Sequence, residues 1–316
     1  MVGDDPEYNG FLAWGCGCMS WGVVPGTPVL YYPKLRSEEP LMATRRYNVP
    51  IHQDVSTRYA SDLNDQEFAF IAPHVAQKDG SGKKRTVNIR EVLNAIFYRI
   101  RTGCQWRMLP SDFPAWNHVW YYYRTWRNDG TLERLNTLLR QEVRSKADRD
   151  PEPSVAIIDS QSVETTEMGG EKGFNPYKQV KGRKRHLMTD TLGLILFVVV
   201  CAASISDSDG AEYIFHETEG RFPRLRTVLV DQGYKGWLVD FAKRWFGIIV
   251  DVVSRSPEQR VFVVQPQRWK IERTFGWLDW SRILSKEYER TTESSESNIY
   301  LASIRLILRR LTLSSN

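Results

Sequence analysis

Helical periodicity governs the first half of the chain, and short apolar runs between helical segments govern the second. Asn88 to Thr102 sets Ile89, Val92, Leu93, Ile96, Phe97 and Ile100 on one helical face, and Gly103 stops it. Pro114 to Asn128 sets Trp116, Val119, Trp120, Tyr123 and Trp126 on or near one side. Asp129-Gly130 breaks that segment, and Thr131 caps a further helix through Leu139. Asp62 to Asp65 supplies caps for an earlier helix through Phe70 and Ile71. Two helices joined by a tight connection are the skeleton of a helix-turn-helix DNA reader, whose exposed side would offer His118, Arg124 and Arg127. A plain helical bundle with a solvated basic face fits the same pattern.

Past a polar, proline-bearing stretch at 148–153 the rhythm changes. Ser154 to Ile158 is a buried-strand run that ends on Asp159. Strands follow at Lys184 to Thr189 and Leu194 to Ala203, then a helix at Ser208 to Glu219 and a strand, Thr227 to Val230, that ends on Asp231. A helix at Lys235 to Phe246, a strand at Gly247 to Val253 and a short strand at Val261 to Val264 come next. Helices are predicted at Gln267 to Lys286, carrying Glu272, and at Ser297 to Leu313. An antiparallel meander followed by crossovers gives a mixed sheet with helices on its faces. The predicted fold class is therefore α/β: a ribonuclease-H-like mixed sheet preceded by an all-helical, helix-turn-helix-like segment. The expected division is a leader at 1–61, a helical DNA-binding domain at 62–147, a linker at 148–153 and a catalytic domain at 154–313. Residues 1–41, rich in Gly, Pro and Trp, are expected to be irregular, with Met42 reading as the natural start.

Composition narrows the function classes. Of 316 residues, 41% are hydrophobic and 26% charged, which suits a globular protein with a large core. The net charge of +5 is mild, so the placing of the basic residues matters more than their number. The four cysteines show no paired spacing with histidine, which excludes a structural zinc motif and a disulfide framework. The longest apolar stretch, Leu192 to Ala203, is too short to span a bilayer.

The chemistry lies in three carboxylates. Two strand-end aspartates, Asp159 and Asp231, and a helical glutamate, Glu272, can hold a pair of divalent cations, which prefer hard oxygen ligands. Two such ions about 4 Å apart can activate water and stabilise charge at a phosphodiester. Asp190, Asp207, Asp209 and Asp251 are rivals; Asp207 and Asp209 precede a helix, where capping is the simpler role. From Lys172 to Thr189 there is no acidic residue, so Lys178, Lys181, Arg183, Lys184, Arg185 and His186 are expected to clamp phosphates beside Asp159.

These segments resemble a known family. Ile157 to Val163, Lys181 to His186, Thr189 to Gly193, Val230 to Tyr234 and Ile271 to Leu278, with Arg101 to Pro110 upstream, are similar to insertion-sequence transposases of the IS5 type, in the IS4-like DDE superfamily. The resemblance runs in order from about residue 62 to 311. It implies a bacterial, cytoplasmic, nucleoid-associated enzyme that binds terminal inverted repeats, hydrolyses the ends and joins 3′-hydroxyls to target DNA, as a homodimer or larger assembly on paired ends. It implies that Asp159, Asp231 and Glu272 bind two Mg2+, with Mn2+ able to substitute. The superfamily pattern Tyr-x2-Arg-x3-Glu-x6-Lys is matched at Arg268 and Glu272, whereas Gln265 and Asp279 stand at the Tyr and Lys positions. Arg273, Arg282 and Lys286, placed on the same predicted helix, complete the expected DNA contacts. A stand-alone metal-dependent nuclease and an inactive DNA-binding derivative are the competing readings.

Overall fold

The computed structural model describes residues 58–75, 87–167, 170–253 and 267–313. The leader up to residue 57 and the strand expected at Val261 to Val264 lie outside the described residues.

Four helices come first: α1 (Asp65–Val75), α2 (Ile89–Thr102), α3 (Trp116–Asn128) and α4 (Thr131–Lys146). Asn88 caps α2 by accepting from the Arg90 N–H, and Gly103 ends it at φ +71°, a conformation that favours glycine. Val92, Leu93, Ile96, Phe97 and Ile100 are all buried, as their spacing requires. The connection from α2 to α3 is not tight. It runs through residues 103–115 with a 3-10 turn at Trp106–Met108. The short turn lies one step later, at Asp129-Gly130 between α3 and α4.

Six strands form one sheet: β1 (Val155–Glu164), β2 (Gly173–Asn175), β3 (Val180–Asp190), β4 (Ile195–Ala202), β5 (Thr227–Val230) and β6 (Ile249–Val252). The path is β2-β3-β1-β5-β6, with β4 paired to β3. β1, β3 and β4 are an antiparallel meander, while β5 and β6 run parallel to β1. This is the ribonuclease-H-like topology. α5 (Asp207–Glu217) and α6 (Trp237–Phe246) cover one face, packing on Ala156, Ile158, Val228 and Val230. α7 (Trp269–Leu278) and α8 (Thr292–Leu313) cover the other, packing on Ile157, Leu187 and Leu229. Alternation along each strand assigns those residues to opposite faces.

The core on the α8 side is continuous from Leu63 to Leu311, so the N-terminal helices and the sheet share it. Asn136 of α4 donates to the Ile195 carbonyl and accepts from Ser303 of α8. The 148–153 stretch is itself tied back to α4, with Arg144 donating to the Asp150 carbonyl and Gln141 to Glu152. Arg144 also pairs at 2.6 Å with Asp190, which is fully buried at the β3–β4 turn. One of the rival acids is thereby a structural ion-pair partner.

Candidate active site

β5 stops at Val230, and Asp231 follows. Ile157 on β1 is paired with Leu229 on β5, and the parallel pairing ends there. Asp159 and Asp231 each stand two residues further on, near enough for the Asp231 charge to act on Asp159. By alternation Asp159 projects on the face of Ile157, the face that α7 covers. β1 does not end at Asp159, as its apolar lead-in suggested; it continues to Glu164 in partnership with β3. What ends at Asp159 is the parallel neighbour, and a crevice beyond the carboxyl ends of parallel strands is where α/β sheets place their sites.

α7 brings the third acid. It is moored to the β3–β4 turn by two contacts on its buried side: Thr274 Oγ1 donates to the Gly193 carbonyl at 2.8 Å, and Arg273 donates to the Leu192 carbonyl at 3.0 Å. Glu272, adjacent in sequence, falls on the exposed side. Arg268, one turn earlier, donates to Glu272 at 2.9 Å and lies 3.6 Å from the Asp159 carboxylate. That guanidinium is thus turned on the carboxylates. Burial pushes the Asp159 carboxyl up to about 7; the Ser160 N–H and the Arg268 charge oppose the rise, and the nearby Asp231 and Glu272 add to it. The Asp231 carboxylate is oriented by the Gly233 N–H at 2.8 Å.

The opposite face of the same strands holds a group that sequence reading set aside. Ser206, not Asp207, caps α5, accepting from the Asp209 N–H. Asp207 is left to accept from Ser160 Oγ at 2.7 Å and from the buried Lys184 ammonium at 2.9 Å. Burial raises its pKa, but those hydrogen bonds and the Lys184 charge outweigh it and hold the carboxyl below its usual range. Tyr234 is 1% exposed; burial, joined by the charges of Asp159, Asp207 and Asp231, raises its phenol pKa well above the usual range. Nothing in the sequence distinguished Asp207 from a capping residue; the signal was only that Ser206 was free to cap in its place.

The basic segment requires correction. Arg183, Lys184, Arg185 and His186 are not a surface clamp. They lie inside β3, between β1 and β4, with no more than 5% of any side chain's residue exposed. Alternation splits them. Arg183 and Arg185 point to one face, where they donate to the Arg290, Thr291 and Leu284 carbonyls and pair with buried Glu287. Lys184 and His186 point to α5. The His186 ring lies against Cys201 and directly under Gly210, where a Cβ would come within 2.1 Å of the ring. Burial holds its pKa down near 3, so it stays neutral. None of the four can reach a phosphate without unpacking the sheet.

Lys178 and Lys181 remain exposed. Arg282 and Lys286 are not on the helix of Glu272: α7 ends at Leu278, Arg282 opens a separate 3-10 turn, and Lys286 pairs with Glu164 at 3.5 Å. Arg273 is stacked between the rings of Trp269 and Trp277 at 4.6 and 4.2 Å. On α3, His118 and Arg124 are exposed, whereas Arg127 donates to Ser294 on α8.

Among the described residues, no group of three or more His, Cys, Asp or Glu stands close enough together to hold a metal ion, and Arg268 occupies the space between Asp159 and Glu272. The donor chemistry nevertheless suits a hard divalent cation. The candidate ligands are carboxylate oxygens only, and one of them carries a raised pKa that a bound cation would lower.

Fold and sequence place the chain in the DDE class of transposases. A family described as a transposase DDE domain matches residues 150–304, and one described as a putative transposase of the IS4/5 family matches residues 63–136. The chain belongs to the IS4/IS5 family of DDE transposases. A relative from Burkholderia cepacia, an uncharacterized 16.2 kDa protein of insertion element IS402, is 28% identical over 120 residues, covering 36% of this chain and 80% of that protein. Two solved structures also align. The Mos1 mariner paired-end complex with Mn has a TM-score of 0.28 and 12% identity, covering 75% of this chain and 80% of its own. The Mos1 strand transfer complex has a TM-score of 0.27 and 11% identity, covering 75% and 79%. Among the described residues no helix is long and apolar enough to cross a membrane.

Proposed function

We propose that this transposase binds the terminal inverted repeats of its own insertion sequence, hydrolyses a phosphodiester at each end and joins the freed 3′-hydroxyls to target DNA. The observation that carries the reading is that Asp159 and Asp231 each stand two residues past the last parallel pair, Ile157 with Leu229, while Arg268 on the helix of Glu272 reaches both Glu272 and Asp159. Asp159, Asp231 and Glu272 would hold two Mg2+, with Mn2+ able to substitute; bound there, the ions supply an activated water and a counter-charge for the reacting phosphate.

The chain's own residues do the rest. Asp159, with its carboxyl near 7, holds a proton part of the time at neutral pH and must release it to serve as a ligand. The Gly233 N–H fixes the Asp231 carboxylate. Arg268 neutralises Asp159 and Glu272 in the meantime, and its charge is then available for a DNA phosphate. His118 and Arg124 on the open face of α3 are suited to the repeat sequence. Cutting and joining two ends together requires at least two protomers.

The test is a strand-transfer assay with a labelled duplex of the element's end and a target plasmid. Cleaved and joined products that disappear in Asp159→Ala, with end binding retained, support the reading. Cleaved products that never join would replace it with a stand-alone nuclease, and unchanged cleavage in Asp159→Ala would refute the site.

A further inference from the structure

β1 and β3 do not stop at the carboxylates. Pairing continues from Ser160 with His186 to Glu164 with Gly182, well past the last residue of β5. β2 then adds to β3 at Val180 to Gly182, so a β-hairpin extends the sheet past the crevice. The tip, residues 176–179, is pinned. Asn175 is buried; its Oδ1 accepts from the Tyr177 and Lys178 N–H groups at 3.0 and 3.1 Å, and its Nδ2 donates to Ser162 Oγ at 3.0 Å. Ser162 is on β1, three residues beyond Asp159, so the direction of the tip is fixed to the strand of that carboxylate.

What the pinned tip displays is unusual for a turn. Tyr177 is 95% exposed and Phe174 54% exposed. Lys178 and Lys181 are exposed beside them, and neither has an ion-pair partner among the described residues. A large ring on a rigid turn adds nothing to the core, and two unpaired ammonium groups next to it call for anions. A partner that offers flat ring faces and regularly spaced negative charge satisfies both, and nucleic acid is that partner.

The distance can be set. Asp159 is opposite Leu187, and Val180, where the tip begins, is seven residues from Leu187 along β3. At about 3.3 Å per residue that is roughly 23 Å. A turn of B-DNA rises about 34 Å in some ten base pairs, so the tip reaches about seven base pairs along a duplex from the crevice. We propose that Tyr177, Lys178 and Lys181 grip DNA about seven base pairs from the phosphate cut at Asp159. The inference rests on Asp159 as the centre of cleavage.

The experiment places a benzoylphenylalanine photocrosslinker at position 177 of the full chain and irradiates it with an end-labelled duplex of the element's terminus. Cross-links are expected about seven base pairs from the cleaved phosphate. The triple substitution Tyr177→Ala, Lys178→Ala, Lys181→Ala is expected to keep the wild-type melting temperature and to weaken duplex binding by about tenfold or more. It should also make the slope of log K against log salt shallower by about 2. Cutting by the wild type with unaltered affinity and salt slope in the triple variant overturns the hairpin contact alone, as does cross-linking to a second copy of the chain instead of DNA. A wild type that binds the duplex and leaves it uncut overturns the role of Asp159 and, with it, this spacing.

Discussion

Arg268 Nη2 donates to Glu272 Oε1 at 2.9 Å across one turn of α7, and the same nitrogen lies 3.6 Å from Asp159. A single cation thus serves two of the three acids. Removing it with Arg268→Ala leaves the carboxylates to repel one another, and the Asp159 pKa is expected to move up from about 7. Carbon-13 NMR titration of the Asp159 carboxyl reads this directly; an unchanged or lowered value would mean that Arg268 does not govern the site.

Divalent-metal binding should carry the mark of the same proton. Below pH 7 the ion must displace a proton from Asp159, so log K for Mn2+ should rise by about one per pH unit and level off above 7. Asp159→Asn should remove that dependence along with most of the affinity. Calorimetry between pH 5.5 and 8.5, on the order of six points, suffices to see the bend. A flat profile in the wild type would show that Asp159 is not a ligand.

Glu287→Ala tests whether the basic residues of β3 serve the fold. It strips the carboxylate from Arg183 and Arg185, both buried, and should lower the unfolding free energy by about 3–5 kcal/mol in urea denaturation. DNA affinity of the folded fraction should not change. A stable variant with weakened DNA binding would restore the phosphate-clamp reading.

His186 makes an acid-side prediction. Its pKa is near 3 in the fold and about 6.5 in an unfolded chain, so the unfolded state takes up the extra proton between those values. Stability gained from the neutral, buried ring is full above about pH 6.5 and is lost as pH falls toward 3. His186→Gln should flatten the pH dependence of unfolding in that window by about one proton, whatever its effect at pH 8. Equal slopes in the two proteins would contradict the burial argument.

Asp159 and Asp231 stood out as candidates because each follows a continuous apolar run, the pattern of a strand buried on both faces, although β1 continues past Asp159 to Glu164. Helix α2 was legible for the parallel reason that six apolar residues at helical spacing leave few alternatives. The meander-then-crossover order also followed from segment order alone, since antiparallel neighbours need only a turn and parallel ones need a helix.

The sequence could not tell a buried cation from a solvated one. Arg183 and Arg185 read as a surface charge run because their partner, Glu287, lies about a hundred residues away and only the sheet brings it within 3.7 Å. The same holds for Asp207, whose role turned on which neighbour capped α5, and for α7, which ends at Leu278 although Ile283 and Leu284 continue to look apolar and are in fact buried in a separate turn. By itself, then, the sequence revealed most of the helices and strands and singled out three acids as candidates, because local periodicity and the polarity that follows an apolar run are properties of neighbouring residues. Tertiary structure decided which charges face solvent and which acids share a cation, because burial and ion pairing are set by residues far apart in the chain.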